Sequence, residues 1–263
     1  MDLGLSDSKI LITGGASHIG RAIVLKLAAE GAQLVILDRD VDQAERTAAE
    51  AERLTGRRPE VAAVDVSDHA AAEDACLTAI ANLGGLDVLV TNVGFNRPDF
   101  FLETDPAIWD SLIATNLTSV MSCVRAALPT MVAQGYGAIV ATASTAAFGE
   151  PRQGVYAAAK AGVVAFIRTI AQEYGRSGVR ANLVAPGLTL PEGEDDLGEL
   201  SLWRQGASVM NDAQIDYVAK ATPLRRLTKA EDIANSVAFL ASDTVARQIT
   251  GQLITVSGGF AMR

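Results

Sequence analysis

The sequence has little of what marks secreted or metal-binding proteins. Only two of its 263 residues are cysteine, Cys76 and Cys123, and only two are histidine, His18 and His69. No cysteine and histidine share a ligand-type spacing, so the sequence predicts no metal site. Because both cysteines lie in apolar sequence with helical spacing, we expect them to be reduced, half-buried thiols.

Positive charge is also scarce. Acidic residues outnumber Lys and Arg by 31 to 22, giving a formal net charge of −9, and no basic patch is visible. Such a surface would repel nucleic acid. The N-terminal residues lack the basic start and apolar run of a signal peptide, and no stretch of eighteen apolar residues is free of charge. We therefore expect a cytoplasmic protein that binds neither nucleic acid nor a membrane.

What the sequence does contain is a regular alternation of short β-branched runs with longer Ala-rich stretches of helical spacing. Such alternation requires crossover connections, so it predicts a single α/β domain over residues 1–263, doubly wound around a seven-stranded parallel sheet with helices on both faces. The predicted strands are Lys9–Thr13, Gln33–Leu37, Val61–Asp65, Val88–Thr91, Ala138–Ala141, Arg180–Val184 and Gln252–Val256. The predicted helices are Ile19–Glu30, Val41–Leu54, Asp68–Leu83, Ala107–Ala133, Val155–Tyr174 and Ala230–Ala241.

One long segment, about 187–222, interrupts the alternation and carries too few strand signals to join the sheet. A loop of this length in a compact domain is usually functional, so we predict a substrate lid. The acidic residues between 192 and 199 are expected to form its solvated face. This segment is called the lid below.

A glycine-rich turn marks a possible dinucleotide site. The first predicted strand runs into Thr-Gly-Gly-Ala-Ser-His-Ile-Gly, residues 13–20, where a helix begins. Such a turn brings backbone N–H groups and a helix N-terminus to a pyrophosphate. The second strand ends at Asp38, whose carboxylate can accept hydrogen bonds from ribose hydroxyls and would repel a 2′-phosphate, which favours NAD over NADP. The adjacent Arg39 works in the opposite direction, because it can pair with that phosphate.

A second group of residues points to proton transfer. Tyr156 and Lys160 are four positions apart, which places both side chains on one helix face, although a plain surface pair has the same spacing. A neighbouring ammonium lowers the pKa of a phenol from roughly 10, so Tyr156 can take the proton of an alcohol and return it to a ketone. Ser144, at the end of the fifth strand, would hydrogen-bond the same substrate oxygen and stabilise its developing charge.

Together these residues resemble the short-chain dehydrogenase/reductase family over nearly the whole chain. The turn at 13–20 is similar to the family's Thr-Gly-x-x-x-Gly-x-Gly, with His18 where a glycine is usual. Ser144, Tyr156 and Lys160 match its Ser…Tyr-x-x-x-Lys pattern, with a Ser-to-Tyr spacing one residue shorter than expected. The resemblance implies a Rossmann fold, a nicotinamide cofactor and a homotetramer with Ala107–Ala133 and Val155–Tyr174 at one interface.

The resemblance also implies roles for further residues. Asn116 would hold a water that links Lys160 to solvent, although an Asn that bonds its own helix fits the sequence too. Thr189 would contact the nicotinamide carboxamide through its backbone. The implied catalytic residues are Asn116, Ser144, Tyr156 and Lys160. The implied cofactor-binding residues are Gly14, Ser17, His18, Ile19, Gly20, Asp38, Arg39, Asp65, Val66, Asn92, Gly94, Tyr156, Lys160, Pro186, Gly187 and Thr189.

We therefore predict an NAD-dependent short-chain alcohol dehydrogenase or ketone reductase. An apolar or cyclic secondary alcohol or ketone would suit the candidate pocket residues, which fit core or lid packing equally well: Phe95, Phe148, Leu188, Leu190, Trp203 and Met210. An NADPH-dependent 3-oxoacyl-thioester reductase is an alternative, disfavoured by Asp38 and by the absence of a basic residue in the turn. A non-catalytic NAD-binding sensor or scaffold is a second, disfavoured because all four catalytic positions are filled.

Overall fold

Seven parallel strands form the centre of the molecule in a computed structural model, which describes residues 2–193, 196–201, 203–204 and 210–262. The strands are β1 Lys9–Thr13, β2 Gln33–Asp38, β3 Glu60–Ala63, β4 Val88–Thr91, β5 Gly137–Thr142, β6 Val179–Pro186 and β7 Leu253–Val256. Their order in the sheet is β3-β2-β1-β4-β5-β6-β7. The doubly wound sheet is confirmed, and its direction reverses between β1 and β4, where open α/β sheets bind ligands at their carboxyl edge.

Helices cover both faces of the sheet, and five of the six predicted helices begin and end within a few residues of their predicted bounds. They are α1 His18–Ala29, α2 Val41–Thr55, α3 His69–Leu83, α4 Trp109–Ile113, α5 Ser119–Gln134, α6 Gly154–Tyr174, α7 Asp212–Ala221, α8 Ala230–Ala241 and α9 Asp243–Ala246. The predicted helix Ala107–Ala133 is broken by a π-helical turn, Ala114–Thr118, between α4 and α5. The lid contains α7, which the sequence interpretation did not predict.

Two hydrophobic layers hold the helices to the sheet. One lies under α1, α2 and α8, and the other under α3, α5 and α6. Two stretches in the second layer, Pro106–Gln134 and Gly154–Ser177, are long and apolar enough to cross a membrane by length and composition alone. Their apolar side chains pack on the sheet, as those of a core helix do.

The two cysteines meet inside this second layer. Cys76 on α3 and Cys123 on α5 are both free thiols, and they are fully buried rather than half-buried as expected. A hydrogen bond with Cys123, together with burial, raises the pKa of the Cys76 thiol. Both residues therefore act as small apolar core side chains in this structure.

The lid folds back over the start of α1 and α2. Asp196 of the lid pairs with Arg21 of α1 at 2.7 Å, and the Leu200 amide donates to the Asp40 carboxylate at 3.2 Å. The prediction of a solvated acidic face was therefore wrong for Asp196, because Arg21 offers it a partner from a distant part of the chain. Glu194 and Asp195, in the same predicted face, lie outside the described residues.

Candidate active site

The glycine-rich turn closes tightly between β1 and α1. Gly14 has a φ of +71°, in the left-handed region that glycine tolerates best. A Cβ atom on Gly20 would lie 1.7 Å from the Gly14 carbonyl oxygen, so only glycine fits there. The Asn92 amide nitrogen donates to the same carbonyl at 2.9 Å and ties the turn to the end of β4. The turn is thus rigid where a dinucleotide would approach.

The N-terminus of α1 is open to an anion. Its N-cap, Ser17, makes no side-chain capping bond, and the first turn of α1 carries no acidic residue. The first amides of a helix have no partner inside the helix, which here leaves those of His18, Ile19 and Gly20 for a ligand. These donors, together with a buried His18 nitrogen that has no partner among the described residues, fit the diphosphate of a nicotinamide dinucleotide.

Asp38 stands at the carboxyl end of β2 beside this turn. Its carboxylate accepts hydrogen bonds from the Ala16 and Asp40 amides, both at 3.0 Å. Burial raises the pKa of Asp38, and the two amides act against that rise. Arg39, about half exposed, lies 3.9 Å from the Asp65 carboxylate. Asp38, Arg39 and Asp65 therefore lie close together near the carboxyl ends of β2 and β3, and their contact with a cofactor stays a prediction.

Asp65 and Val66, two of the implied cofactor-binding residues, both lie beyond the end of β3. Asp65 lies past the end of β3, two residues beyond Ala63, because its carboxylate accepts hydrogen bonds from the amide and hydroxyl of Ser67 and closes a turn. Val66 is buried in the hydrophobic layer of α3. The predicted third strand was therefore too long at its end.

The proton-transfer residues come together at the carboxyl end of β5. Ser144 follows β5 by two residues, and Tyr156 lies in the first turn of α6. The Tyr156 hydroxyl hydrogen-bonds the Ser144 side chain, and the Ser144 oxygen also accepts from the Ala146 amide at 3.1 Å. The shortened Ser-to-Tyr loop therefore still lets the two hydroxyls meet.

The charge states of Tyr156 and Lys160 differ from the sequence-based expectation. Burial of the hydroxyl, with the nearby Glu150 carboxylate, raises the pKa of Tyr156 to about 12, and the Ser144 hydrogen bond opposes the rise. Burial lowers the pKa of Lys160 to about 8. Lys160 Nζ lies 5.9 Å from the centre of the Tyr156 ring and donates to the Thr142 carbonyl at 2.9 Å. The Tyr156 pKa is therefore raised and not lowered as expected, because desolvation of the hydroxyl is the largest effect on it.

Asn116 is fully buried in the π-helical turn. Its amide nitrogen donates to the carbonyls of Leu112 and Phe95, and its oxygen accepts from the Phe95 amide at 3.0 Å. A Cβ on Gly94 would lie 3.5 Å from the Asn116 oxygen and 3.6 Å from Lys160 Nζ, so both groups border Gly94. Asn116 bonds its own helix, as the alternative stated, and also fixes the loop after β4. Its part in a water relay stays a prediction.

A hydrogen-bond chain that the sequence did not reveal joins the two halves of the site. The Thr142 carbonyl accepts from Lys160, and its hydroxyl donates to the Asn92 side-chain oxygen at 3.1 Å. Asn92 in turn holds Gly14. Lys160 is thereby linked to the glycine-rich turn through Thr142 and Asn92. The only sequence signal for Thr142 was its place directly after the predicted strand Ala138–Ala141.

A second polar chain borders Tyr156. Glu150 accepts from the Thr145 hydroxyl at 2.9 Å and from the Gln153 amide at 2.8 Å. Gln153 accepts from Asn96, whose own side-chain oxygen is buried and has no partner in the part of the chain that the structure describes. No motif marks these residues, so the sequence analysis missed them. They place the Glu150 carboxylate near the Tyr156 hydroxyl, whereas the predicted pocket residues are all apolar.

Where the resemblance implies contact with the nicotinamide, Pro186 ends β6 and the Gly187 amide donates to the Val256 carbonyl at 2.9 Å. Thr189 is buried, and its hydroxyl donates to the Gly187 carbonyl. One predicted pocket residue, Trp203, takes part in lid packing, which the sequence interpretation allowed equally. Trp203 packs edge-on against His18, and the Leu190 carbonyl hydrogen-bonds the same imidazole.

Known proteins resemble this chain along almost its full length. A family model described as enoyl-(acyl carrier protein) reductase matches residues 14–261. The 3-oxoacyl-(acyl-carrier-protein) reductase FabG of Staphylococcus aureus is 34% identical over 255 residues, 96% of this chain and 97% of that protein. The (2S)-((R)-hydroxy(phenyl)methyl)succinyl-CoA dehydrogenase subunit BbsD of Thauera aromatica is 35% identical over 98% of both chains. The crystal structure of levodione reductase superposes with a TM-score of 0.87 at 31% identity, over 97% of this chain and 98% of that one. The chain therefore belongs to the short-chain dehydrogenase/reductase family and is an oxidoreductase of the kind that binds a nicotinamide cofactor.

Proposed function

We propose that the protein is an NAD-dependent dehydrogenase that transfers a hydride between NAD(H) and a secondary alcohol or ketone, small and apolar or cyclic. The observation that carries this proposal is the hydrogen-bonded pair of Ser144 and Tyr156 beside buried Lys160, at the same sheet edge as the glycine-rich turn. A reacting carbon held at this edge would have its oxygen within reach of both hydroxyls.

The chain's own residues would handle the proton. A bound nicotinamide supplies the hydride donor or acceptor. With a pKa of about 12, Tyr156 keeps its proton at neutral pH and is ready to give it to a ketone oxygen. Alcohol oxidation instead requires the phenolate, so we expect oxidation to accelerate as the pH rises. Ser144 would hold the substrate oxygen, and Lys160 would supply positive charge below pH 8.

Asp38 supports the preference for NAD. The Ala16 and Asp40 amides fix its two carboxylate oxygens, whose remaining lone pairs can accept from ribose hydroxyls. A 2′-phosphate would meet this carboxylate at close range and be repelled. Arg39, adjacent to Asp38 in sequence, could reverse the preference, but its guanidinium already lies beside Asp65.

A second candidate is an NADPH-dependent reductase of 3-oxoacyl thioesters. The 34% identity to FabG and the presence of Arg39 favour it. The identity to levodione reductase, named for a small ketone, favours the first candidate. Glu150, close enough to Tyr156 to raise its pKa, disfavours an anionic group next to the reacting carbon in either case.

Fluorescence titration with NADH and NADPH, followed by turnover assays with the tighter cofactor, separates these functions. Preference for NADH with turnover of a secondary alcohol supports the proposal. Preference for NADPH with turnover of an acetoacetyl thioester supports the second candidate. Tight binding of either cofactor with no turnover of any alcohol, ketone or thioester would indicate a sensor or scaffold and contradict both.

Two expectations about the protein's surroundings belong to this proposal. We propose a cytoplasmic homotetramer with α5 and α6 at one interface, which would cover Met121 and Val132, both exposed on α5 in the single chain. Light scattering of the purified protein measures the oligomeric state directly. A monomer at micromolar concentration would contradict the assembly without affecting the proposed chemistry.

A further inference from the structure

His18 departs from the family's glycine-rich turn, and its backbone does not suit an ordinary side chain. Its φ is +50°, in the left-handed region that favours glycine. The other non-glycine residues described with positive φ lie outside this turn: Asp7, Arg152 and Arg225. A residue kept in such a conformation at a functional site is often there because its side chain is needed.

The imidazole of His18 has one occupied side and one unoccupied side. Its Nε2 atom is buried and has no hydrogen-bond partner in the described part of the chain. The Leu190 carbonyl forms a hydrogen bond with the imidazole, and the Trp203 ring packs edge-on at 5.8 Å between centroids. Both partners belong to the lid. A buried nitrogen without a partner destabilises the protein unless something else satisfies it.

The position of His18 indicates what that partner is. His18 is the first residue of α1, whose uncapped N-terminus presents free amides to an anion. The imidazole thus stands between the lid and the place where the diphosphate of a dinucleotide would bind. The charged groups described around it are few: Asp196 of the lid acts on the ring, and Asp196 is itself paired with Arg21.

We propose that His18 is a positioning residue that couples the lid to the cofactor, with Nε2 donating to the diphosphate while the rest of the ring holds Leu190 and Trp203. The inference rests on the proposed function in requiring that the protein bind a dinucleotide. In the proposed arrangement Nδ1 keeps its proton toward Leu190, so Nε2 donates to the diphosphate when the ring is a cation. Burial lowers the pKa of His18 in the ligand-free protein, so diphosphate binding would draw a proton onto the ring.

Binding of two probes tests the contact to the diphosphate. ADP-ribose carries a diphosphate and adenosine does not, and both can be measured by displacement of NADH. We expect His18→Gly, which suits the backbone, to weaken ADP-ribose about tenfold and adenosine less than about twofold. Asn also tolerates positive φ, so His18→Asn should change the two affinities as His18→Gly does. His69→Asn, at an exposed histidine at the start of α3, is the matched control and should change neither affinity.

The affinity of ADP-ribose should also depend on pH, in a direction that the inference fixes. ADP-ribose should bind wild type more tightly at pH 6 than at pH 8, by at most about tenfold per pH unit, because the bound state holds one more proton. His18→Gly should remove this dependence, and His69→Asn should keep it. A wild-type affinity that does not change with pH would contradict the protonated contact.

Protection of the lid from trypsin by ADP-ribose is a measurement that would not change if His18 had only a structural role. Arg204, exposed in the lid next to Trp203, offers a site for trypsin. Saturating ADP-ribose should slow cleavage there severalfold in wild type, and it should have little effect in His18→Gly or Trp203→Leu. Equal affinity and equal protection in wild type and His18→Gly would overturn the inference. Failure of the wild-type protein to bind NADH or ADP-ribose at all would instead overturn the proposed function.

Discussion

Replacing Lys160 with methionine should stabilise the ligand-free protein at neutral pH and abolish turnover. Lys160 is 2% exposed, and burial lowers its pKa from 10.5 to about 8. A difference of about 2.5 between these pKa values, at about 1.4 kcal/mol per pH unit, makes the buried ammonium cost about 3 kcal/mol of folding free energy at pH 7. Methionine fills a similar volume without this charge.

Loss of one hydrogen bond reduces the expected gain in stability. Lys160 donates a hydrogen bond to the Thr142 carbonyl, and methionine leaves that acceptor without this partner at a cost of about 1 kcal/mol. We therefore expect Lys160→Met to raise the free energy of unfolding by about 2 kcal/mol at pH 7. Turnover should fall by at least ~100-fold, because the positive charge beside Tyr156 is lost.

The pH dependence of the stability difference shows whether the buried Lys160 ammonium is its cause. Below pH 8 the lysine is protonated in both the folded and the unfolded chain, so the full penalty applies. Between pH 8 and 10.5 only the unfolded chain keeps the proton, so the penalty fades as the pH rises. The stability difference between variant and wild type should therefore narrow by about 2 kcal/mol from pH 7 to pH 9.5. Cys76, whose thiol pKa is raised, makes both proteins less stable at high pH and cancels in the comparison.

Urea unfolding at pH 7 and pH 9.5, at one protein concentration, measures these differences. Lys220→Met is the matched control, because Lys220 is largely exposed on α7 and its pair with Asp216 lies at the surface. We expect the control to change stability by less than about 1 kcal/mol at either pH. If Lys160→Met were less stable than wild type at pH 7 by an amount independent of pH, the argument from the buried ammonium would be refuted.

Three further substitutions test the site. Tyr156→Phe should bind NADH with an affinity within about twofold of wild type and lose turnover by ~10²–10⁴-fold, and near-normal activity would show that another group moves the proton. Glu150→Gln removes a carboxylate that raises the pKa of Tyr156, so the rise of kcat/KM with pH for alcohol oxidation should move to lower pH, and an unmoved profile would contradict the assignment of Tyr156. Asp38→Asn should weaken NADH about tenfold and shift preference toward NADPH in paired titrations, whereas equal loss of both cofactors would mean that Asp38 supports the turn and does not discriminate.

The fold was predictable because each of its elements has a local signal. Apolar runs of strand length alternate with helical spacing, and parallel pairing follows from that alternation. The errors lie where the deciding interaction is not local. β3 ends early because Asp65 bonds Ser67, and Asp196 is not solvated because Arg21, far away in the chain, meets it.

The identities of the site residues were more predictable than their pKa values. Spacing alone placed Tyr156 and Lys160 on one face, but the degree of burial that raises one pKa and lowers the other depends on the whole fold. Likewise, the sequence could not distinguish the π-helical turn at Asn116 from ordinary helix, since the two differ only in which backbone groups pair. The polar chain through Glu150 consists of residue types common in any loop.

Isotope transfer tests the central claim most directly. The purified protein is given NAD⁺ and a panel of secondary alcohols deuterated at the carbinol carbon, and the reduced cofactor is analysed by mass spectrometry. The account predicts that deuterium from at least one alcohol appears in the NADH formed, and that Tyr156→Phe forms almost none although it still binds the cofactor. If alcohols were consumed with their deuterium released to water, or if Tyr156→Phe transferred deuterium at the wild-type rate, the proposed hydride transfer at this site would be contradicted.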